Sequence, residues 1–249
     1  MKLFNEGRTA VVTGAAQGIG LAIAKRFVEE EITNIAIIDV NEAKLNAAAE
    51  ELGKLGSSNV MPVVCNIADK DDVDAKFGEI IARFGAVDIL VNNAGIIRDA
   101  MFHKMTFEQF DLVVKVNLYG TFNCCKAVWQ QMRDRGYGRI VNFSSSSSHG
   151  NVGQVNYTAT KGAIVSMTKT LAKEGARKGI TANILSPDFI DTDMLRAIPA
   201  DQFDNACKST PMQRPGKPEE IASAVVFLCS EDASYVSGTD LFVAGAKTT

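Results

Sequence analysis

Thr9-Ala10-Val11-Val12-Thr13-Gly14-Ala15-Ala16-Gln17-Gly18-Ile19-Gly20 is the stretch whose reading decides the fold. Its first residues form a short apolar run, the pattern of a strand buried on both faces. The glycines that follow allow a tight turn and let backbone N–H groups approach an anion. From Ile19 to Glu31 the apolar spacing becomes helical, so the positive end of a helix dipole points at the turn. Strand, glycine turn and helix start, in that order, make a place for the pyrophosphate of a dinucleotide. Gly14, Gln17, Gly18, Ile19 and Gly20 are the expected contacts.

Outward from this unit the alternation continues. Strand-length apolar runs fall at Ile35–Asp39, Val60–Cys65, Ile89–Asn92, Arg139–Phe143, Thr181–Leu185 and Leu241–Val243. Helical patterns lie between them at Glu42–Leu55, Asp71–Phe84, Phe107–Asp134, Val155–Lys178 and Pro218–Ser230. Such alternation predicts an α/β fold of Rossmann type: one doubly wound parallel sheet of about seven strands with helices on both faces. No repeat, linker or composition break divides the chain, so residues 1–249 are expected to form a single domain. The stretch 186–218, rich in Pro, Asp and Thr, is predicted to be irregular and to cover the site as a lid.

Composition removes several function classes. Net charge is −3 with both signs dispersed, which argues against a nucleic-acid partner. No apolar run is long enough to span a membrane, and residues 1–8 lack the apolar core of a signal peptide. Five scattered cysteines and only two histidines, His103 and His149, give no metal-ligand spacing; reduced thiols in a cytoplasmic protein are expected, with no metal.

Asp39 ends the second strand, where a carboxylate accepts hydrogen bonds from an adenosine ribose and repels a 2′-phosphate. Val40, Asn41 and Glu42 follow, and the glycine turn offers Gln17 instead of a cation. NAD is therefore preferred over NADP. Asp39 is also placed to cap the next helix. Asn66, in Cys65-Asn66-Ile67, ends the third strand within reach of an adenine edge. Asn92-Asn93-Ala94-Gly95 ends the fourth with small residues suited to close packing on a cofactor.

The chemistry points to Asn156-Tyr157-Thr158-Ala159-Thr160-Lys161. Tyr157 and Lys161 stand one helical turn apart on one face. An ammonium beside a phenol favours the phenolate, lowering a pKa that is ordinarily about 10. Arg139–Ser145 delivers hydroxyls at the C-terminal end of a strand, where open α/β sheets place ligands. Hydride transfer between a nicotinamide and an alcohol or ketone is the expected reaction. A Ser-His-Asp hydrolase fits poorly, because there is no GxSxG elbow.

Taken as a set, Gly14-xxx-Gly18-Ile19-Gly20, Asn92–Gly95, Asn117, the strand-end serines and Tyr157-xxx-Lys161 resemble the short-chain dehydrogenase/reductase family. The resemblance covers nearly the whole chain. It implies a homotetramer with Tyr157 as general acid/base and Lys161 on the nicotinamide ribose. It further implies a serine on the substrate oxygen and Asn117 holding a relay water. Strand register makes that serine Ser145; counting back from Tyr157 makes it Ser144. Pro187, Ile190 and Thr192 match positions that contact the nicotinamide and phosphates. The pattern departs at Asp188, where the family has glycine, at Asn66, and at Ala244-Gly245-Ala246. A left-handed backbone at Asp188 would be strained.

The implied function is an NAD-dependent dehydrogenase or ketone reductase acting on a small-molecule secondary alcohol or ketone. Ser145, His149, Tyr157 and Phe189 are expected at the substrate, with Phe143, Val152, Met194 and Leu195 as neighbours. Asn92–Asp99, Phe102–Met105 and Gly153–Tyr157 are similar to 3-oxoacyl-carrier-protein and acetoacetyl-CoA reductases. The alternative is therefore a CoA or carrier-protein thioester substrate, its anionic carrier met by Arg98, Lys104 and Arg135. A scaffold that binds cofactor without turnover is the alternative of another class.

Overall fold

The computed structural model describes residues 3–192, 196 and 200–247. The strands are β1 (Thr9–Thr13), β2 (Asn34–Asp39), β3 (Asn59–Val64), β4 (Ile89–Asn92), β5 (Gly138–Phe143), β6 (Ile180–Pro187) and β7 (Asp240–Val243). They form one sheet, every neighbouring pair parallel, in the order β3-β2-β1-β4-β5-β6-β7. Chain direction across the sheet reverses between β1 and β4, and open α/β sheets hold ligands at such a switch point.

The helices are α1 (Gly18–Glu29), α2 (Glu42–Leu55), α3 (Lys70–Phe84), α4 (Phe107–Val113), α5 (Gly120–Arg135), α6 (Val155–Gly175), α7 (Ala200–Ser209) and α8 (Pro218–Cys229). The strand period of two sorts side chains between two cores. Ala10, Val12, Ile35 and Ile37 pack with α1, α2 and α8 on one face. Val11, Ala36, Ile38 and Leu90 pack with α3 and α5 on the other. The central strands are buried on both faces as expected. The edges are not: β3 exposes Asn59, Pro62 and Val64, and β7 is half-buried throughout. β3 lacks a neighbour on one side, which is where a strand tolerates proline.

Two expected elements differ. The helical run from Phe107 is interrupted by a π-turn over Val114–Tyr119. The stretch 186–218 is not wholly irregular, because it contains α7. A bridge between Ile190 and Gly216 ties its two ends together. Met194 and Leu195 lie outside the described residues. Among the described residues no helix is long and apolar enough to cross a membrane. Nor do any group into a metal-binding cluster.

Candidate active site

A cleft of about 430 Å³ opens above the C-terminal ends of β1, β2 and β4. Gly14, Gln17, Gly18 and Ile19 form one wall, with Asp39 and Val40 at one end. Asn66, Ile67, Asn93, Ala94, Gly95 and Thr192 complete it. Pro187, Ile190 and Gly20 were expected at the cofactor but do not line this cleft; Ile190 and Phe189 border a second cavity of about 340 Å³ beside β7.

Sterics fix the glycines. A Cβ on Gly20 would stand 2.1 Å from the Gly14 carbonyl oxygen. One on Gly14, whose φ is +66°, would meet the Ala94 Cα at 2.9 Å. The Asn93 side chain locks this contact by donating to the carbonyls of Thr13 and Gly14, at 3.0 and 3.2 Å. Gln17, the N-cap of α1, makes no side-chain capping bond, and no acidic residue sits in the first turn. Among the described residues no side chain caps the first N–H groups of the helix, which suits them to an oxyanion ligand. This donor set fits a dinucleotide pyrophosphate.

Asp39 accepts from the Ala16 amide at 3.3 Å and the Asn41 amide at 3.0 Å. It does not cap α2; Asn41 does, accepting from the Lys44 amide at 3.0 Å. The Lys44 ammonium bonds the Gln17 side-chain oxygen, so a cation stands at the rim after all. Sequence order hid it, because Lys44 enters from the first turn of α2. Asn66 lines the cleft while its side-chain oxygen accepts from the Ala68 amide at 3.1 Å.

Beyond the cleft, α6 carries Tyr157 and Lys161. The buried Asn156 anchors its start, donating to the Arg98 carbonyl at 2.8 Å and accepting from the Tyr157 amide at 2.7 Å. Lys161 is buried and donates to the Phe143 carbonyl at 2.7 Å. Burial disfavours its ammonium and lowers its pKa to about 8. Its Nζ lies 5.5 Å from the centre of the Tyr157 ring.

The phenol departs from expectation. Tyr157 is raised above its ordinary value, chiefly by burial; hydrogen bonding with Ser145 works the other way, and the Asp99 carboxylate adds to the rise. Desolvation is the largest influence in this structure and keeps the phenol protonated. Asp99, which accepts from Gln154 at 2.9 Å, gave no sequence signal as a neighbour of Tyr157.

The two serines are now distinguished by position. Ser144 is buried and donates to the Lys161 carbonyl at 3.0 Å. Ser145 faces Tyr157 and accepts from the Ser147 amide at 3.1 Å. Asn117 comes from the π-turn, and its amide grips the Ile96 backbone through bonds of 2.8 and 3.0 Å. A Cβ on Gly95 would lie 3.3 Å from that amide oxygen and 3.6 Å from Lys161 Nζ, so the three elements meet there.

Other expected neighbours are placed less directly. His149 packs its ring 6.1 Å from Phe242, and Phe189 its ring 5.9 Å from Phe203. Val152 is exposed, and Phe143 belongs to the core, contributing its carbonyl and not its ring. Asp188 is not among the residues with positive φ, so the expected strain is absent there; Ala246 has it instead, at +67°. Arg135 is removed from the carrier-facing set, because it pairs with Asp88 at 2.9 Å near the start of β4, at the opposite end of the sheet.

A family model described as enoyl-(acyl carrier protein) reductase matches residues 14–246. The chain belongs to the short-chain dehydrogenase/reductase family. It is 43% identical to an acetoacetyl-CoA reductase of Rhizobium meliloti, over 96% of this chain and 98% of that one. It is 40% identical to a 3-oxoacyl-[acyl-carrier-protein] reductase of Thermotoga maritima, over 96% and 97%. Among solved structures, a gluconate 5-dehydrogenase of Burkholderia cenocepacia in complex with NADP and tartrate superposes with a TM-score of 0.92. That enzyme is 37% identical, with 98% of this chain and 96% of that one covered. As a member of the family this protein is an oxidoreductase with a nicotinamide-dinucleotide site.

Proposed function

We propose that this protein reduces the 3-oxo group of an acyl thioester, on coenzyme A or an acyl carrier protein, to a secondary alcohol, with NAD(H) preferred to NADP(H). The observation that carries the reading is the trio beyond the Gly95 side of the cleft: a protonated Tyr157, Ser145 beside its hydroxyl, and a buried Lys161 with no carboxylate partner among the described residues. The bound dinucleotide supplies the hydride. Ser145 donates to the carbonyl oxygen and orients it, a fixed-dipole effect. Tyr157 passes its proton to the same oxygen as negative charge grows there. A phenol held protonated by burial suits that direction. Lys161 would hold the ribose of the bound dinucleotide and, with charge developing on the tyrosine, stabilise the phenolate left behind. Asn117 holds the Ile96 backbone beside Lys161 and is the residue expected to seat a relay water.

The thioester is favoured over an unspecified ketone by the two reductases at 43% and 40% identity. Arg98 and Lys104, both exposed, are the cations offered to an anionic carrier. NAD preference rests on Asp39, whose carboxylate meets only backbone amides among the described residues. A cytoplasmic homotetramer, with its thiols reduced, completes the reading.

Loss of NADH absorbance with acetoacetyl-CoA tests it. Tyr157→Phe is expected to lower kcat by about 10³-fold, within the range for a general acid, and to leave NADH affinity within about twofold. NADH binding without turnover of any oxoacyl thioester or simple ketone would make the protein a binding scaffold.

A further inference from the structure

Two departures from the family pattern, Asp188 and the turn Ala244-Gly245-Ala246, lie far apart in sequence and meet in the fold. The Asp188 Oδ1 accepts a short hydrogen bond from the Ser146 hydroxyl. Its Oδ2 lies 3.2 Å from Lys247 Nζ. That oxygen is buried and has no aligned hydrogen bond, so the lysine meets it as a charge. The turn aims Lys247: its amide donates to the Ala244 carbonyl at 3.0 Å, and Ala246 adopts the left-handed φ of +67°. A non-glycine residue holds that conformation only where surrounding contacts impose it.

Ser146 directly follows Ser145 and opens the 3₁₀ turn Ser146–His149. Ser145 accepts from the Ser147 amide through its Oγ and from the Ser148 amide, at 3.0 Å, through its carbonyl. A tether on Ser146 therefore restrains the whole turn that sets the Ser145 hydroxyl. We propose that Asp188 and Lys247 form an ionic latch that holds the serine turn, making both of them positioning residues for Ser145. This rests on the reading of Ser145 and Tyr157 as the pair on the reacting oxygen. Removing Lys247 leaves a buried carboxylate charge uncompensated, and such a group relieves itself by turning toward water. Doing so releases Ser146.

The test uses the full chain and the variants Lys247→Met, Lys247→Arg and Asp188→Ala. Lys247 is partly exposed, so its variants are expected to fold even where Asp188→Ala does not. The first readout is hydrogen exchange at the amides of Ser147, Ser148 and Gly150. The latch predicts exchange about tenfold faster in Lys247→Met and Asp188→Ala, with Val11 and Ile37 amides unchanged. The second is kcat for acetoacetyl-CoA reduction, expected to fall about tenfold while NADH affinity stays within about twofold. Lys247→Arg restores both. Unchanged exchange, unchanged kcat, or a Lys247→Arg variant no better than Lys247→Met would each overturn the latch. If the unaltered protein reduces no oxoacyl thioester, the substrate reading fails, and exchange alone decides the latch.

Discussion

The N-terminal end of the sheet and the cleft region at its other end treat charge in opposite ways. At the N-terminal end of the strands, Asp88 bonds Arg8 at 3.0 Å, Arg135 at 2.9 Å and the Thr9 amide at 2.9 Å. Glu231 joins Arg8 and Arg139, each at 3.3 Å, and accepts from Tyr137 at 3.0 Å. The Arg8 guanidinium lies 3.4 Å from the centre of the Tyr137 ring and that of Arg139 4.4 Å. Each acid there touches more than one cation. Around the cleft, among the described residues, Lys161 bonds a carbonyl, Asp39 bonds amides, and Tyr157 meets a serine. Burial without a charge partner costs stability, and it moves the pKa values of Lys161 and Tyr157. One end is built to stay shut, the other to receive a ligand that completes it.

Replacing Lys161 attacks the contrast at its strongest point. Lys161→Met is expected to lower kcat/KM by about 10³-fold, read by NADH absorbance. Unlike most core changes, it is not expected to destabilise the cofactor-free protein at neutral pH, because it removes a buried ammonium. The pH dependence has a definite sign. The folded-state pKa of about 8 lies below the unfolded value of 10.5, so the unfolded chain binds more protons between them. Wild-type stability therefore rises with pH across that window, by something on the order of 3 kcal/mol. The stability difference between variant and wild type, from urea unfolding, should shift toward wild type from about pH 8 to 10.5. A difference independent of pH would mean that Lys161 is not held as an unpaired ammonium.

At the other end the outcome reverses. Asp88→Asn removes the buried carboxylate that Arg8 and Arg135 share, leaving Arg8 with Glu231 alone, and is expected to cost about 3 kcal/mol of stability, measured by urea unfolding, with kcat unchanged at permissive temperature. A change in kcat would blur the distinction between the two ends. The smallest effect belongs to Asp39→Ser, which should lower the NAD/NADP ratio of kcat/KM about tenfold by removing a charge that repels the 2′-phosphate. Lys44, already at the rim, should then favour NADP, so adding Lys44→Ala to that variant takes back part of the NADP gain.

Much of this was legible in the chain because it follows from local pattern. The runs Ala10–Val12 and Ile35–Ile38 are apolar throughout, and only a strand buried on both faces uses both parities of side chain. Gly14, Gly18, Asp39, Tyr157 and Lys161 occupy spacings set by one turn, one strand end and one helical turn. What escaped is long-range or depends on a balance of forces. Lys44 reaches Gln17 from another helix. Asp188 meets Lys247 across the sheet end. Arg135 reads as a loose surface cation until β4 brings Asp88 beside it. The direction of the Tyr157 shift could not follow from the YxxxK spacing, because burial sets it.

The π-turn at Val114–Tyr119 has a consequence for how this chain tolerates change in length. A π-turn accommodates one residue more than the regular helix, and each residue rotates the helix by about 100°. Deleting one residue between α4 and α5 would restore ordinary winding and leave the two flanking segments close to their present register, so Cys124, Val128 and Met132 would keep to the core. The cost would fall on the bulge itself, which now aims Asn117 at the Ile96 backbone. Single exchanges at exposed Tyr119 or Phe122 should be absorbed, whereas losing one position within the π-turn would take Asn117 from Ile96 while the rest of the helix keeps its place.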